Sequence, residues 1–365
     1  MDKKLRIVGI IAALAFSVII LSSPYEPPPI PEPNLQESGN EYVEILATNL
    51  KKPWAIALAG DRIFITEKNG KVRVFESNTL LDEPLATLRT VDVFDGGLLG
   101  ITVHPDFANN HFLYVYYTYE EDGELWNKIL KIKESENKLQ DAETILDKIP
   151  GSKFSNGGVL KFGPDNKLYV STGAGLDSSH AAQDLNSLAG KILRLNDDGS
   201  FPDDNPFPNS PIFSYGHSNP RGMAWDKNGS LYVSELGPSK NDEINLVRVG
   251  QNYGWPIQQC SNGEEFVDAI ACYDPRIEPG GIVFYAGDKL DLQNDMIMAV
   301  MAPKHLDKLE INENGIISQN SILSGLGRIR DVMEGADGYL YLITSNTDGK
   351  GFPDSKDDRL VRILK

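Results

Sequence analysis

Arg328 and Arg330, one residue apart, are the strongest chemical signal in this chain of 365 residues. In a strand, positions i and i+2 face the same side, so the two guanidiniums point together. Parallel guanidiniums repel unless an anion lies between them, and their forked donors match carboxylates, so the pair suits a ligand carrying several carboxylates. Lys304 falls near the matching point of the preceding sequence unit, where it joins them. The alternative is two surface arginines paired with Asp or Glu. Other chemistry is poorly signalled. There is no Gly-x-Ser-x-Gly elbow, and His104, His111, His180, His217 and His305 show no zinc-type pairing. Walker and dinucleotide glycine motifs are absent. Asp197-Asp198-Gly199 and Asp203-Asp204-Asn205 look like fragments of calcium loops, but they lack the alternating ligands and terminal Glu of an EF-hand and read better as solvated turns.

The composition limits what these residues can serve. With 52 acidic against 35 basic residues the net charge is −17, a field that repels phosphate backbones and anionic headgroups, so nucleic acid is not an expected partner. A hydrophobic share of 41% is enough to build a sizeable core. The two cysteines, Cys260 and Cys272, exclude a disulfide scaffold, a four-cysteine zinc site and a single-chain iron–sulfur cluster.

Lys3, Lys4 and Arg6 precede an uncharged run from Ile7 to Ser23, the pattern of an export signal. At about 17 residues the run also approaches the length of a spanning helix, so residues 1–23 read as a signal peptide or an N-terminal membrane anchor. Residues 24–40 are proline-rich and read as a stiff extended linker. The protein is therefore expected outside the cell or on the outer face of its membrane. In that oxidising setting a Cys260–Cys272 disulfide is the economical expectation, with two free buried thiols as the alternative.

These residues have to be positioned by elements, and the elements repeat from residue 41 to residue 365. Each unit has an apolar strand, a polar turn, and a second strand ending in Tyr or Phe with a β-branched residue. The units open at Trp54-Ala55-Ile56, Leu98-Leu99-Gly100, Gly158-Val159-Leu160, Arg221-Gly222-Met223, Gly281-Ile282-Val283 and Ile329-Arg330-Asp331. Six such units predict an all-β, six-bladed β-propeller, with Tyr42–Leu46 completing the last blade and closing the ring. An open β-solenoid is disfavoured because neither end carries a polar capping unit.

Several motifs, in one order from Asn49 to the C-terminus, resemble the soluble quinoprotein glucose/sorbosone (aldose sugar) dehydrogenase family. They are Gly97-Leu98-Leu99-Gly100, His104-Pro105-Asp106-Phe107, Gly216-His217-Ser218-Asn219-Pro220-Arg221-Gly222, Ser234-Glu235-Leu236-Gly237-Pro238, Asp242-Glu243-Ile244-Asn245-Leu246, Asn252-Tyr253-Gly254-Trp255-Pro256 and Arg328-Ile329-Arg330-Asp331-Val332. The resemblance implies a propeller holding pyrroloquinoline quinone (PQQ) and calcium, which oxidises a sugar or alcohol and passes electrons to an acceptor. It implies that Lys304, Arg328 and Arg330 clamp the cofactor carboxylates and that Asn219 contacts the cofactor. Gly237 and Pro238 would offer carbonyls to the cofactor calcium, and Glu243 and Tyr253 would hold a second, structural calcium.

The departures fall on the chemistry. Ser155 occupies the position of the family's catalytic histidine, and Val159 that of a nearby arginine. Ala174 stands where an aspartate orients that histidine, Ser218 replaces a cofactor-proximal arginine, and Asp95 replaces a glutamine. A serine is no base without help, and losing a positioned acid–base group costs about 10²–10⁴ in rate. Asp95 and His217 are the substitute bases to test. The expectation is weak or absent aldose oxidation. The competing reading is a non-catalytic propeller that binds a carbohydrate, an anion or a protein. A calcium-dependent propeller hydrolase is disfavoured, because no acidic cluster is evident at the channel.

Overall fold

The computed structural model describes residues 42–175, 179–261, 263, 265–312 and 315–365. The signal or anchor segment 1–23 and the linker 24–40 lie outside the described residues. Among the described residues, no helix is long and apolar enough to cross a membrane.

Six small antiparallel sheets form six blades of a β-propeller. Their inner strands are Pro53–Ala59, Leu98–Val103, Gly157–Phe162, Pro220–Trp225, Pro279–Phe284 and Ile329–Glu334. Each touches the next in that order, and the sixth touches the first, so the strands ring a central channel. Val43–Ala47 pairs with Leu360–Ile363, Val43 opposite Ile363, so the start and end of the ring share one blade. That is the closure expected from the sequence, and it removes the exposed sheet edge an open array would leave.

Local chemistry explains the strands. The second strands Leu168–Thr172, Leu231–Glu235, Met296–Val300 and Leu340–Thr344 are buried at every position, because each blade is covered on both faces. Asx-type turns lead into them: Asp226 Oδ1 accepts the Asn228 and Ser230 amides, and Gly229 takes the positive φ of 82° that glycine tolerates. Close packing around the axis has its own demand. A Cβ at Gly100 would stand 2.0 Å from the Gly158 carbonyl oxygen, so adjacent inner strands approach only without a side chain there. Between blades the core is aromatic and aliphatic, as where Phe64 meets Phe107 edge-on at 5.6 Å. Each fully buried side chain of this kind contributes roughly 1.5–3 kcal/mol.

Blade 2 departs from the expected unit. Beyond the two anticipated strands it carries a long hairpin, Glu124–Ser135 with Lys138–Pro150. The outer strand lacks a regular alternation of charged and apolar residues and pairs with several register shifts, which hides its period from the sequence. Cys260 and Cys272 are joined in a disulfide. Cys272 lies opposite Glu243 in the sheet register, and the Cys260 amide donates to Glu243 Oε1 at 2.7 Å. The disulfide therefore closes its loop over the Glu243 carboxylate.

Candidate functional site

One end of the channel gathers many of the residues singled out in the sequence, together with others the sequence did not point to. Lys52, Asn219, Glu278 and Arg328 each immediately precede an inner strand; Ser155 and Asp95 lie two and three residues ahead of theirs. The returning loops after the second strands, with Ala174, Gly237, Met301, Lys304 and Asp348, reach the same end. Propeller connectivity puts both sets at one mouth.

On one side the mouth is cationic. Arg328 and Arg330 both reach Met301 Sδ, at 3.7 and 3.4 Å, so the predicted pair does converge. Arg328 is neutralised by Glu278 at 2.9 Å and Asp348 at 3.2 Å. Arg330 has no such partner among the described residues; its guanidinium lies 4.6 Å above the Trp54 ring. Burial, then the neighbouring Arg221, bring Arg330 down to about 9. Lys304 follows Met301 in the same turn, but its ammonium sits 5.2 Å over the Phe352 ring. The charges that bear most on Arg330 are Arg221, Asp95, Asp348 and Asp331, and Lys304 is not among them.

The opposite side is held by main-chain bonds. The Ser155 amide donates to Asp95 Oδ2 at 3.3 Å, and its carbonyl accepts the Gly175 amide at 3.1 Å. Asn156 is bonded to Asn127 and Ser152, and its carbonyl accepts the hydroxyl of fully buried Tyr116 at 3.0 Å. Asn219 Oδ1 accepts the Gly157 amide at 3.0 Å, so this asparagine braces the Ser155 loop. The Ala174 amide donates to the Ser218 carbonyl at 2.8 Å. Ser155, Ala174 and Ser218 thus do stand together, as the motif positions implied.

Neither substitute base has the geometry for the task. Asp95 is bound to Arg221 Nη2 at 2.8 Å. Burial alone would raise its carboxyl, but Arg221, Lys350, the Ser155 amide and Arg330 outweigh it and hold Asp95 at about 2. A carboxylate that acidic takes a proton poorly at neutral pH. His217 is fully buried and stacked on Tyr253 at 4.6 Å. Its Nε2 lies 2.8 Å from Ser214 Oγ and its Nδ1 2.9 Å from Glu235 Oε2. The connectivity is that of a nucleophile–base–acid relay, but all three groups are sealed from solvent, so it works as a structural brace. Both residues therefore drop out as bases, one through its ion pair and the other through burial.

The expected calcium ligands lie behind that histidine. Glu243 and Glu235 are buried side by side, and burial followed by the neighbouring Glu235 carboxylate pushes Glu243 above the usual carboxylate range. Asn245 Nδ2 donates to Glu243 at 3.0 Å, while Asn245 Oδ1 is buried without a hydrogen-bond partner. Two carboxylates and an orphaned amide oxygen are hard donors of the kind calcium takes. The Tyr253 hydroxyl is committed elsewhere, donating to the Leu246 carbonyl at 2.7 Å. The Gly237 amide donates to Asp242 Oδ1 at 2.8 Å, whereas the Pro238 carbonyl accepts from Arg276 at 3.4 Å. A cation at Pro238 has to displace that guanidinium.

Sequence reasoning missed Arg221, Glu278, Asp348, Met301 and Trp54. Arg221 was visible inside one of the motifs, and Glu278 stands just ahead of an inner strand, as Lys52, Asn219 and Arg328 do.

Comparison with known proteins agrees with this geometry. The sequence profile of the family described as Glucose / Sorbosone dehydrogenase matches residues 50–362. Aldose sugar dehydrogenase YliI of Escherichia coli is 31% identical over 338 residues, covering 84% of this chain and 91% of the relative. Quinoprotein glucose dehydrogenase B of Acinetobacter calcoaceticus is 37% identical over 254 residues, covering 60% of this chain and 53% of that protein. The PQQ-bound structure of aldose sugar dehydrogenase from Streptomyces coelicolor superimposes with a TM-score of 0.80 at 34% identity, covering 88% of this chain and 97% of that one.

Proposed function

Because the chain belongs to the glucose/sorbosone dehydrogenase family, we propose that it is an exported quinoprotein of the sugar dehydrogenase type that binds PQQ at the cationic mouth and oxidises aldoses slowly. Arg330 carries the reading, as a buried guanidinium without a carboxylate partner among the described residues, beside a second arginine and over an indole face. A cation so placed is costly unless an anion joins it, and a planar cofactor with several carboxylates supplies that anion and a surface to stack on. Buried Arg328 Nε, which has no hydrogen-bond partner, offers a further donor. The residues present therefore fit PQQ.

PQQ, when bound, would supply the hydride acceptor, and a calcium ion would supply a Lewis acid for its quinone. The protein's part is to hold and orient. Arg328 and Arg330 bind the carboxylates, Asn219 fixes the Ser155–Gly157 loop against the inner strand of blade 4, and Gly237 and Pro238 are the carbonyls proposed for the cofactor calcium. Glu243, with Glu235, Asn245 and the Tyr253 main chain, is proposed for the structural calcium. The exposed Phe94–Phe154 pair, with ring centroids 4.7 Å apart, offers a sugar ring an apolar face beside Ser155. The sugar hydroxyl then meets Ser155, which takes no proton at neutral pH, and Asp95 is pinned as an ion pair. Slow oxidation follows. A non-catalytic, ligand-binding propeller is the limit of the same trend.

The test is reconstitution. Purified protein supplied with PQQ and calcium should take up one equivalent with the absorbance of bound quinone and should reduce an artificial acceptor dye only weakly with aldoses. Failure to bind PQQ defeats the reading.

A further inference from the structure

Arg221 has no part in the function just proposed, yet it lines the channel together with Arg330. It enters from the inner strand of blade 4, across the ring from the blade 1–2 connection that carries Asp95, so their ion pair spans the channel. Arg221 is 6% exposed, its Nη2 is taken by Asp95, and its Nε is buried with no hydrogen-bond partner. Arg330 is 8% exposed, and its guanidinium meets Met301 Sδ and the Trp54 ring with no ion pair among the described residues. Arg221 has Asp95, whereas the Arg330 guanidinium has no carboxylate in direct contact among the described residues and feels Asp95, Asp348 and Asp331 only at a distance, a costly placement for a buried cation. A ligand cannot approach from below, where Asp331 already lines the cavity. The cavity beneath the mouth holds about 20 Å³, room for a water molecule but not for a ring. The missing anion has to sit on the mouth itself.

We propose that Arg221 is a further ligand-binding residue, forming with Arg330 a two-guanidinium seat for one carboxylate of a planar polycarboxylate, while Asp95 competes with that carboxylate for Arg221. The inference rests on reading the mouth as the cofactor seat and adds a residue and a competitor to it. It predicts effects of opposite sign at the two ends of one ion pair. Asp95→Asn removes the competitor and tightens binding. Arg221→Met removes a donor and weakens it.

The experiment titrates the full-chain protein, in metal-free buffer, with PQQ and separately with dipicolinate, a small planar dicarboxylate, following Trp fluorescence and heat. Both ligands should bind the wild type. Arg221→Met should weaken both by about tenfold or more, as for a lost charge-assisted hydrogen bond. Asp95→Asn should tighten both, and the double variant should behave like Arg221→Met. Should Arg221→Met fail to fold, Arg221→Lys keeps the charge but loses the fork, and it should still weaken binding. The proposal is overturned if both single variants weaken binding and the double restores it, since that marks a purely structural pair. Binding indifferent to Arg221, or no binding of either ligand, overturns it as well. Dipicolinate binding that depends on Arg221, with no PQQ binding, leaves the seat standing and removes the PQQ reading.

Discussion

On one side of the channel mouth the side chains themselves make the structure. Arg328 is held by Glu278 and Asp348, Arg330 lies on Trp54, and Arg221 crosses to Asp95. On the other side the structure is made by main-chain atoms. Ser155 is fixed through its amide and carbonyl, Ala174 through its amide to Ser218, and Ser218 through its amide to Glu235. A side chain that carries the packing cannot change without cost to the fold. One whose backbone does the holding is free to be any small residue. The wall can therefore lose its acid–base chemistry while the loops keep their places, and the cationic seat has no such freedom.

The largest effect should come from putting chemistry back on the wall. Ser155→His alone should leave aldose oxidation unchanged, because nothing at Ala174 orients the imidazole. Ser155→His combined with Ala174→Asp should raise kcat by about 10²–10⁴ in dye-reduction assays. Equal activity in the single and double variants would break the comparison. On the seat side, Arg330→Met should weaken PQQ binding by about a hundredfold or more, as for a desolvated charge-assisted contact, measured by fluorescence titration. A third test concerns the ground behind the wall. If calcium binds at Glu243, it stabilises by about 2.7 kcal/mol at a hundredfold saturation, so chelator should lower the melting midpoint of the wild type and leave Glu243→Gln unmoved. The smallest effect is acid-dependent. The Asp95 carboxyl is depressed to about 2 in the folded state, so its ion pair contributes stability that is full above the unfolded value near ~3.8 and is lost as pH falls toward 2. The stability gap between wild type and Asp95→Asn should be about 2 kcal/mol near neutrality and should close across that acid range.

The sequence was informative where local pattern and global fold agree. The second strands of the blades and the Asp-Gly turns before them are explicit in the order of residues, and so was the closing strand at Tyr42–Leu46. The pairing of Arg328 with Arg330 followed from strand period alone. The partners of those residues did not, because Glu278, Asp348, Met301 and Trp54 come from three different blades and meet only when the ring closes. Burial was equally hidden. His217 in a Gly-His motif looks like a base, and only packing against Tyr253, Ser214 and Glu235 makes it a brace. Asp95 reads as an ordinary aspartate until Arg221 arrives from across the channel. The long hairpin of blade 2 escaped because its register shifts spoil the alternation on which strand reading depends.

The seat should bind and the wall should support only slow oxidation, and one measurement separates the two. Wild-type protein loaded with PQQ and calcium is mixed with excess glucose, and the absorbance of the bound quinone is followed through a single turnover. Bound quinone should be stoichiometric, its reduction by glucose slow in the wild type and faster in the Ser155→His, Ala174→Asp double variant. Rapid reduction in the wild type, at a rate the double variant does not improve, would contradict that expectation.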